Sequence, residues 1–276
     1  MRRACVIGWP IEHSRSPIIH GYWLKRYGID GAYTREAVKP ESAQAFLRML
    51  PERGLVGCNV TVPLKEIAFR TADEKEPSAL AVGAANTIWL DGRRVCAANT
   101  DTYGYMRHLA LSAPQWMRTD APVCVLGAGG AARAIVFGFI EAGVCEVRVF
   151  NRTLARAEAL ASEFGARVKA LPWSARQDAA RNAAVLVNTT TIGMKGEGDL
   201  GIDFSGFDPR CVVSDIVYVP LETAFLAAAR AAGLATVDGL GMLLHQAVPG
   251  FERWFGVRPE VTPELRGLLV ADIEKR

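Results

Sequence analysis

Apolar and polar positions along the chain follow two rhythms, short continuous apolar runs and longer stripes at helical spacing. Ala4-Cys-Val-Ile7 is a run of the first kind and predicts a buried strand, followed by a polar loop from Gly8 to Arg15. Ser16-Pro17 predicts a helix start, with Ser16 as N-cap and Pro17 at the first helical position. Ile18, Ile19, Tyr22, Trp23 and Tyr27 are its apolar face. Residues 32–37 predict a strand and residues 41–50 a helix with Phe46, Leu47 and Leu50 inward. Gly57-Cys-Asn-Val-Thr61 predicts a strand, and Val62-Pro63-Leu64-Lys65 opens a short helix. The runs 86–90 and 94–97 flank Asp91-Gly92, a hairpin turn signal. Asn99-Thr100-Asp101 caps a helix that continues through Leu109.

Residues 112–121 lack a period and read as a connector. Beyond them, strands at 123–127, 146–151, 167–170, 184–188, 211–216 and 234–238 alternate with helices at 130–142, 154–164, 173–182 and 222–232. This alternation predicts parallel strands joined by crossover helices. Residues 195–208, rich in Gly and Asp, predict a loop. After Gly239, Met242, Leu243, Val248, Phe251, Trp254 and Phe255 stripe a helix, and residues 262–273 make another. No strand follows, so both helices are expected to return to the first part of the chain. The fold class expected is α/β with two domains. Residues 1–102 form the first domain, 103–238 the parallel-sheet domain, and 239–276 complete the first.

The strand at 123–127 runs into Gly127-Ala128-Gly129-Gly130-Ala131-Ala132 and then a helix. Strand, glycine turn and helix is the context of a dinucleotide-binding fingerprint. The turn lets backbone approach a pyrophosphate, and the helix N-terminus presents free N–H groups and a partial positive charge. An NAD-binding chain carries an acid about 20 residues on, against the ribose 2′-OH. Here the next strand ends in Asn151-Arg152-Thr153, with Arg156 one helical turn later. Two arginines and no acid suit a 2′-phosphate, hence NADP; an ordinary surface arginine pair is the alternative.

Composition narrows the class. Half the residues are hydrophobic, enough for a core without metal or disulfides, and the net charge of +3 gives no sign of a nucleic-acid partner. The six cysteines form no C-x-x-C pair and mostly sit in apolar runs, which points to a reducing compartment. The apolar stretch near the N-terminus is too short for a signal peptide, and none approaches membrane-spanning length. A cytoplasmic protein is expected, with no membrane partner.

The candidate chemistry lies at strand ends, where open α/β folds bind ligands. Lys65 stands in the first turn of a helix, where a cation opposes the helix dipole, so local stability does not account for it. A solvated surface lysine is the alternative. Asp101 either stabilises a helix N-terminus or, stacked with Asn99 and Thr100 at the end of an apolar strand, faces a ligand. Ser14 and Ser16, Asn59 and Thr61, Asn86 and Thr87, and Asn99 and Thr100 add hydroxyls and amides. Such a lining fits a small polyhydroxylated ligand rather than a lipid or a base. His13 and His20 are not spaced with an acid as a metal pair, so no metal is expected. Asn188-Thr189-Thr190 and Asp215-Ile216-Val217-Tyr218 follow two strands on the edge where a nicotinamide would lie. Tyr218 can equally be a packing residue, and Gln246 a solvent-exposed one.

These segments stand in the order found in the shikimate dehydrogenase family, which the chain resembles throughout: Gly8 to Pro17, Asn59 to Lys65, Gly83 to Thr87, Asn99 to Asp101, Gly127 to Ala132, Asn151 to Thr153, Asn188 to Thr190, Asp215 to Pro220 and Asp238 to Gln246. Gly21, Leu64 and Ala97 depart from residues common in that family. The resemblance implies an N-terminal substrate domain completed by the C-terminal helices, a Rossmann-type NADP domain, and an active site in the cleft between them. It implies NADP-dependent, reversible reduction of 3-dehydroshikimate to shikimate in aromatic amino-acid (chorismate) biosynthesis, by a monomer or homodimer. It makes Lys65 and Asp101 the catalytic pair. Ser14, Ser16, Asn59, Thr61, Asn86, Tyr218 and Gln246 would contact substrate. The turn Gly127 to Ala131, Asn151, Arg152, Thr153, Arg156, Thr189, Ile216, Gly239 and Met242 would line the cofactor. A quinate or aminoshikimate dehydrogenase of the same fold is the nearest rival, and a non-catalytic NADP-binding sensor a more distant one.

Overall fold

The apolar runs become strands and the stripes become helices in the computed structural model, which describes residues 1–275. The chain divides into two units, residues 1–102 with 244–275, and residues 103–243. In the first unit the order is β1 (Arg2–Gly8), α1 (Ser16–Arg26), β2 (Gly31–Ala37), α2 (Pro40–Arg48), β3 (Gly57–Val60), α3 (Lys65–Thr71), β4 (Glu74–Lys75), α4 (Pro77–Val82), β5 (Thr87–Asp91) and β6 (Arg94–Ala98). The sheet order is β2-β1-β3-β5-β6-β4. β1 pairs in parallel with β2 and β3, whereas β5 runs antiparallel to β3 and β6. Gly92 turns the β5–β6 hairpin with φ of 62°, a conformation that suits glycine.

Two helix starts differ from expectation. α1 begins at Ser16 itself, with Arg15 in the N-cap position and no side-chain cap, so Ser16 is not the cap. α3 begins at Lys65, and Pro63 lies in the turn before it. Lys65 therefore holds the first helical position, where four backbone N–H groups lack intrahelical partners and a cation is least favoured. The two-residue strand β4 and the short α4 had no distinct pattern in the sequence.

The second unit contains α5 from Tyr103 onward (Asp101–Ser112 in full), β7 (Val123–Leu126), α6 (Gly130–Glu141), β8 (Val147–Asn151), α7 (Leu154–Phe164), β9 (Val168–Pro172), α8 (Arg176–Ala179), β10 (Val185–Asn188), β11 (Val212–Asp215), α9 (Ala224–Ala231) and β12 (Ala235–Val237). All strands are parallel, in the order β12-β11-β10-β7-β8-β9. β7 and β10 are buried at every residue, as expected of strands covered on both faces. The order reverses between β7 and β10, the topological switch point where such sheets bind ligands.

α10 (Leu240–Phe255) and α11 (Pro263–Glu274) close the chain. The second unit extends to Leu243, beyond the boundary expected at Asp238. The reason is packing: Met242, in the first turns of α10, rests against the β-sheet core of the second unit. From Leu244 on, α10 belongs to the first unit. Trp254 is 1% exposed and donates its indole N–H to the Ile88 carbonyl at 2.9 Å. A Cβ at Gly57 would lie 2.2 Å from both the Trp254 Nε1 and the Ile88 oxygen, so glycine is required for this approach. Trp23 donates to the Glu260 carbonyl at 2.8 Å, and Arg15 pairs with Asp272 of α11 at 2.8 Å. The first domain is thus built from both ends of the chain. Among the described residues no helix is long and apolar enough to cross a membrane.

Candidate active site

The carboxyl ends of β1, β3 and β6 carry the candidate substrate groups of the first unit. Parallel pairing of β1 with β3 sets Val6 opposite Asn59, and the Thr61 N–H donates to the Ile7 carbonyl at 2.9 Å. The loop after β1 turns at Ser14, whose carbonyl accepts two hydrogen bonds from Arg35, at 2.6 and 2.9 Å. Ser16 is buried, and its N–H donates to the Ser14 hydroxyl at 3.4 Å.

Lys65 and Asp101, which come from α3 and the start of α5, meet in an ion pair. The ammonium donates to Asp101 Oδ2 at 2.6 Å, and the side chains are 30% and 14% exposed. Lys65 is therefore not a solvated surface lysine. Asn86 Nδ2 donates to the other carboxylate oxygen at 2.8 Å. The orientation of the Asn86 amide follows from its far side. There the Thr100 backbone N–H donates to Asn86 Oδ1 at 2.8 Å, and a backbone N–H can only donate. The Thr87 and Thr100 hydroxyls lie 3.1 Å from the same oxygen. The Asn86 nitrogen must then face Asp101. Each Asp101 oxygen thus accepts from one donor, and the Asp101 backbone N–H is satisfied by Asn99 Oδ1 at 3.1 Å. The arrangement leaves a cation, fixed by a carboxylate, at the end of a buried polar network. Such a group can deliver a proton or hold a substrate oxygen.

Asn59 belongs to the same network, donating from Nδ2 to the Asn86 carbonyl at 3.1 Å and to the Thr87 hydroxyl at 3.3 Å. Gln246, on the part of α10 in the first unit, is 9% exposed and so is not a solvent-facing residue. His20 is fully buried among Tyr33, Trp23, Phe251 and Trp254. Burial pushes its pKa down to about 3, against a weaker opposing effect of Asn59, and neither ring nitrogen reaches a partner at hydrogen-bonding distance among the described residues. Among the described residues no group of three His, Cys, Asp or Glu side chains is arranged to hold a metal ion.

In the second unit the glycine turn follows β7. Gly127 has φ of 110°, and a Cβ there would lie 2.7 Å from the Thr189 hydroxyl. Gly129 and Gly130 are exposed with open space where side chains would be, and the α6 N-terminus has no side-chain cap. Bare backbone, an uncapped helix and a switch point make a cradle for a phosphate group. Ala128 and Ala131 flank the turn, half-buried. Asn151 donates from Nδ2 to the Thr153 carbonyl at 2.8 Å, which fixes the turn between β8 and α7. Arg152 and Arg156 stand exposed there, as Thr153 does. Thr189 donates to the Leu126 carbonyl at 2.7 Å, beside the glycine turn.

Asp215 organises the neighbouring strand end, a role the sequence did not reveal. It is buried and accepts from Asn188 Nδ2 at 2.9 Å, the Val217 N–H at 2.9 Å and the Thr223 hydroxyl at 2.8 Å. Burial raises its carboxyl to about 6, although all three donors favour the charged form. It thereby ties the 188–190 loop to the segment that carries Ile216 and Tyr218, the latter half-buried. Gly239 approaches the same segment so closely that a Cβ would lie 2.3 Å from the Ile216 carbonyl.

Family models match three stretches: the shikimate dehydrogenase substrate binding domain at residues 6–88, shikimate / quinate 5-dehydrogenase at 109–193, and the shikimate 5′-dehydrogenase C-terminal domain at 239–263. A shikimate dehydrogenase (NADP(+)) of Brucella canis is 54% identical over 99% of this chain and 96% of its own. The chain belongs to the shikimate dehydrogenase family. A family member from Thermus thermophilus, solved in complex with NADP(H) and shikimate, is 36% identical and superposes with a TM-score of 0.86 over 99% of this chain and 100% of its own. A second member of the fold, quinate dehydrogenase from Corynebacterium glutamicum in complex with NAD, has a TM-score of 0.89 at 29% identity, over 98% of this chain and 99% of its own. The two-domain α/β architecture of this chain is that of the shikimate dehydrogenase family.

Proposed function

We propose that this protein is an NADP-dependent shikimate dehydrogenase that interconverts 3-dehydroshikimate and shikimate in aromatic amino-acid biosynthesis. The observation that carries the catalytic reading is the Lys65–Asp101 pair, 2.6 Å apart and held on its far side by Asn86. Reduction of a ketone to an alcohol needs a proton on oxygen as carbon gains a hydride. Lys65 donates that proton and takes it back in the reverse direction, a contribution of roughly 10²–10⁴ in rate. Asp101 keeps the ammonium aimed and balances its charge. Ser14, Ser16, Asn59, Thr61, Asn86, Tyr218 and Gln246 hold the hydroxyls and carboxylate of the substrate.

The residues of the second unit fit NADP. The glycine turn and the α6 N-terminus would hold the pyrophosphate, with Thr189 beside it. Arg152 and Arg156 would hold the 2′-phosphate, with Asn151 and Thr153 at the adenosine end and Ile216, Gly239 and Met242 at the nicotinamide end. Bound there, NADPH supplies the hydride. Six unpaired cysteines accord with a cytoplasmic enzyme, working as a monomer or homodimer.

The test is turnover of shikimate with NADP⁺ at alkaline pH, followed by NADPH formation, with quinate and NAD⁺ as parallel arms. Shikimate with NADP⁺ should give the highest kcat/KM. A preference for quinate or for NAD⁺ would overturn the assignment within the family, and binding of NADP⁺ without turnover would make the protein a sensor.

A further inference from the structure

Tyr33 lies on β2, one strand beyond β1 in the sheet. Its hydroxyl is buried and donates to Asn59 Oδ1 at 2.6 Å. The phenol ring stacks on His20 with centroids 3.9 Å apart and planes 9° from parallel, and Trp254 lies 6.0 Å away. This aromatic box fixes the plane of the ring, and with it the direction of the O–H. One phenol thus anchors a side chain of β3 that belongs to the proposed substrate site.

The hydrogen-bond capacity of Asn59 can be counted. Its amide has two N–H donors and two oxygen lone pairs. Both donors are spent inside the protein, on the Asn86 carbonyl and the Thr87 hydroxyl. One lone pair is taken by Tyr33. A single lone pair remains.

We infer that Tyr33 is a positioning residue that anchors the oxygen of Asn59, whose donors are both spent, so that Asn59 reads a substrate hydroxyl and rejects a group with no proton to donate at that position. The inference rests on the reading of Asn59 as a substrate contact. Without the phenol, Asn59 loses its anchor on the oxygen side. Its remaining bonds are the two longer ones, and its grip on the ligand hydroxyl loosens.

The test is Tyr33→Phe, which keeps the ring, its stack on His20 and its volume. KM for shikimate should rise about tenfold, the effect of a hydrogen bond of ordinary strength. kcat and the KM for NADP⁺ should stay within about twofold. The second readout is specificity, as the ratio of kcat/KM for shikimate to that for each of its mono-deoxy analogues. One of these ratios should fall several-fold in Tyr33→Phe while the others hold. A fall in melting temperature with unchanged KM, or an equal shift of all the ratios, would reduce Tyr33 to a packing residue and overturn the inference alone. A wild-type protein that does not turn over shikimate would overturn the functional reading and this inference with it.

Discussion

His20 makes the stability of the first unit depend on pH in a calculable way. The imidazole is fully buried, and its pKa falls from 6.5 to about 3. Below pH 6.5 the unfolded chain takes up a proton that the native ring refuses. The contribution is therefore fully present above about pH 6.5 and is lost as the pH drops toward 3. Each pH unit within that window changes the free energy of unfolding by about 1.4 kcal/mol, so lowering the pH from 6.5 to 5 costs about 2 kcal/mol from this residue. The perturbation that isolates it is His20→Phe, which keeps an aromatic ring among Tyr33, Trp23, Phe251 and Trp254. It also removes two buried nitrogens that lack partners, so the variant should be at least as stable at neutral pH. The assay is urea unfolding followed by tryptophan fluorescence at pH 7.5 and pH 5. Trp9, Trp23, Trp89 and Trp254 belong to the first unit, and Trp23 and Trp254 touch the His20 ring, so the signal reports on this region. The wild type should lose about 2 kcal/mol more than the variant between the two conditions. Equal losses would refute the reasoning, because carboxylates elsewhere act on both proteins alike.

Asp215 should act in the opposite sense in the second unit. Its carboxyl is raised to about 6, so the penalty for its charge is absent below about pH 4 and grows as the pH rises to 6. Asp215→Asn should remove a loss of about 3 kcal/mol across that range, measured as the pH dependence of the unfolding midpoint. Lys65→Met should lower kcat by about 10² or more with NADP⁺ affinity near wild type, and Asp101→Asn should lower it too. A double-mutant cycle on kcat/KM should show less than additive losses, and additivity would mean two independent roles. Arg152→Ala should weaken NADP⁺ by about 1.5–3 kcal/mol and leave NAD⁺ nearly unchanged in a binding titration. Gly57→Ala should destabilise the first unit by about 3 kcal/mol or more in the same urea assay, because the added methyl meets Trp254 and the Ile88 carbonyl.

The parallel sheet was legible because its signals are local. Val123 to Leu126 and Val185 to Val187 are unbroken apolar runs, and each ends in residues that turn or cap. The crowding of Asn59, Asn86, Lys65 and Asp101 was legible for the same reason, since each stands at or beside an end of an element: Asn59 near the end of β3, Asn86 just before β5, Lys65 and Asp101 at the starts of α3 and α5. What the pattern missed depends on the order of strands in space. Tyr33 reaches Asn59 only because β1 lies between β2 and β3, which no spacing along the chain announces. The grip of Asp215 on Asn188 likewise requires β10 beside β11. At Ser16 and Pro63 residue preference pointed one way and the loops decided otherwise. Neither residue serves the helix end its type suggests.

The requirement of the first domain for both ends of the chain has a consequence during synthesis. Residues 1–102 leave the ribosome with β3 uncovered at Gly57, the place that Trp254 fills. The second unit is complete in sequence only at Leu243, shortly before that tryptophan on the same helix. At roughly 5–20 residues per second, the interval between Thr102 and the last helix is on the order of ten to thirty seconds. For that time the first unit waits unfinished, its apolar sheet face open, while the nucleotide-binding unit is made. Chaperone dependence of the nascent chain should therefore concentrate on the hundred or so residues of that waiting partner, even though they are made before the nucleotide-binding unit.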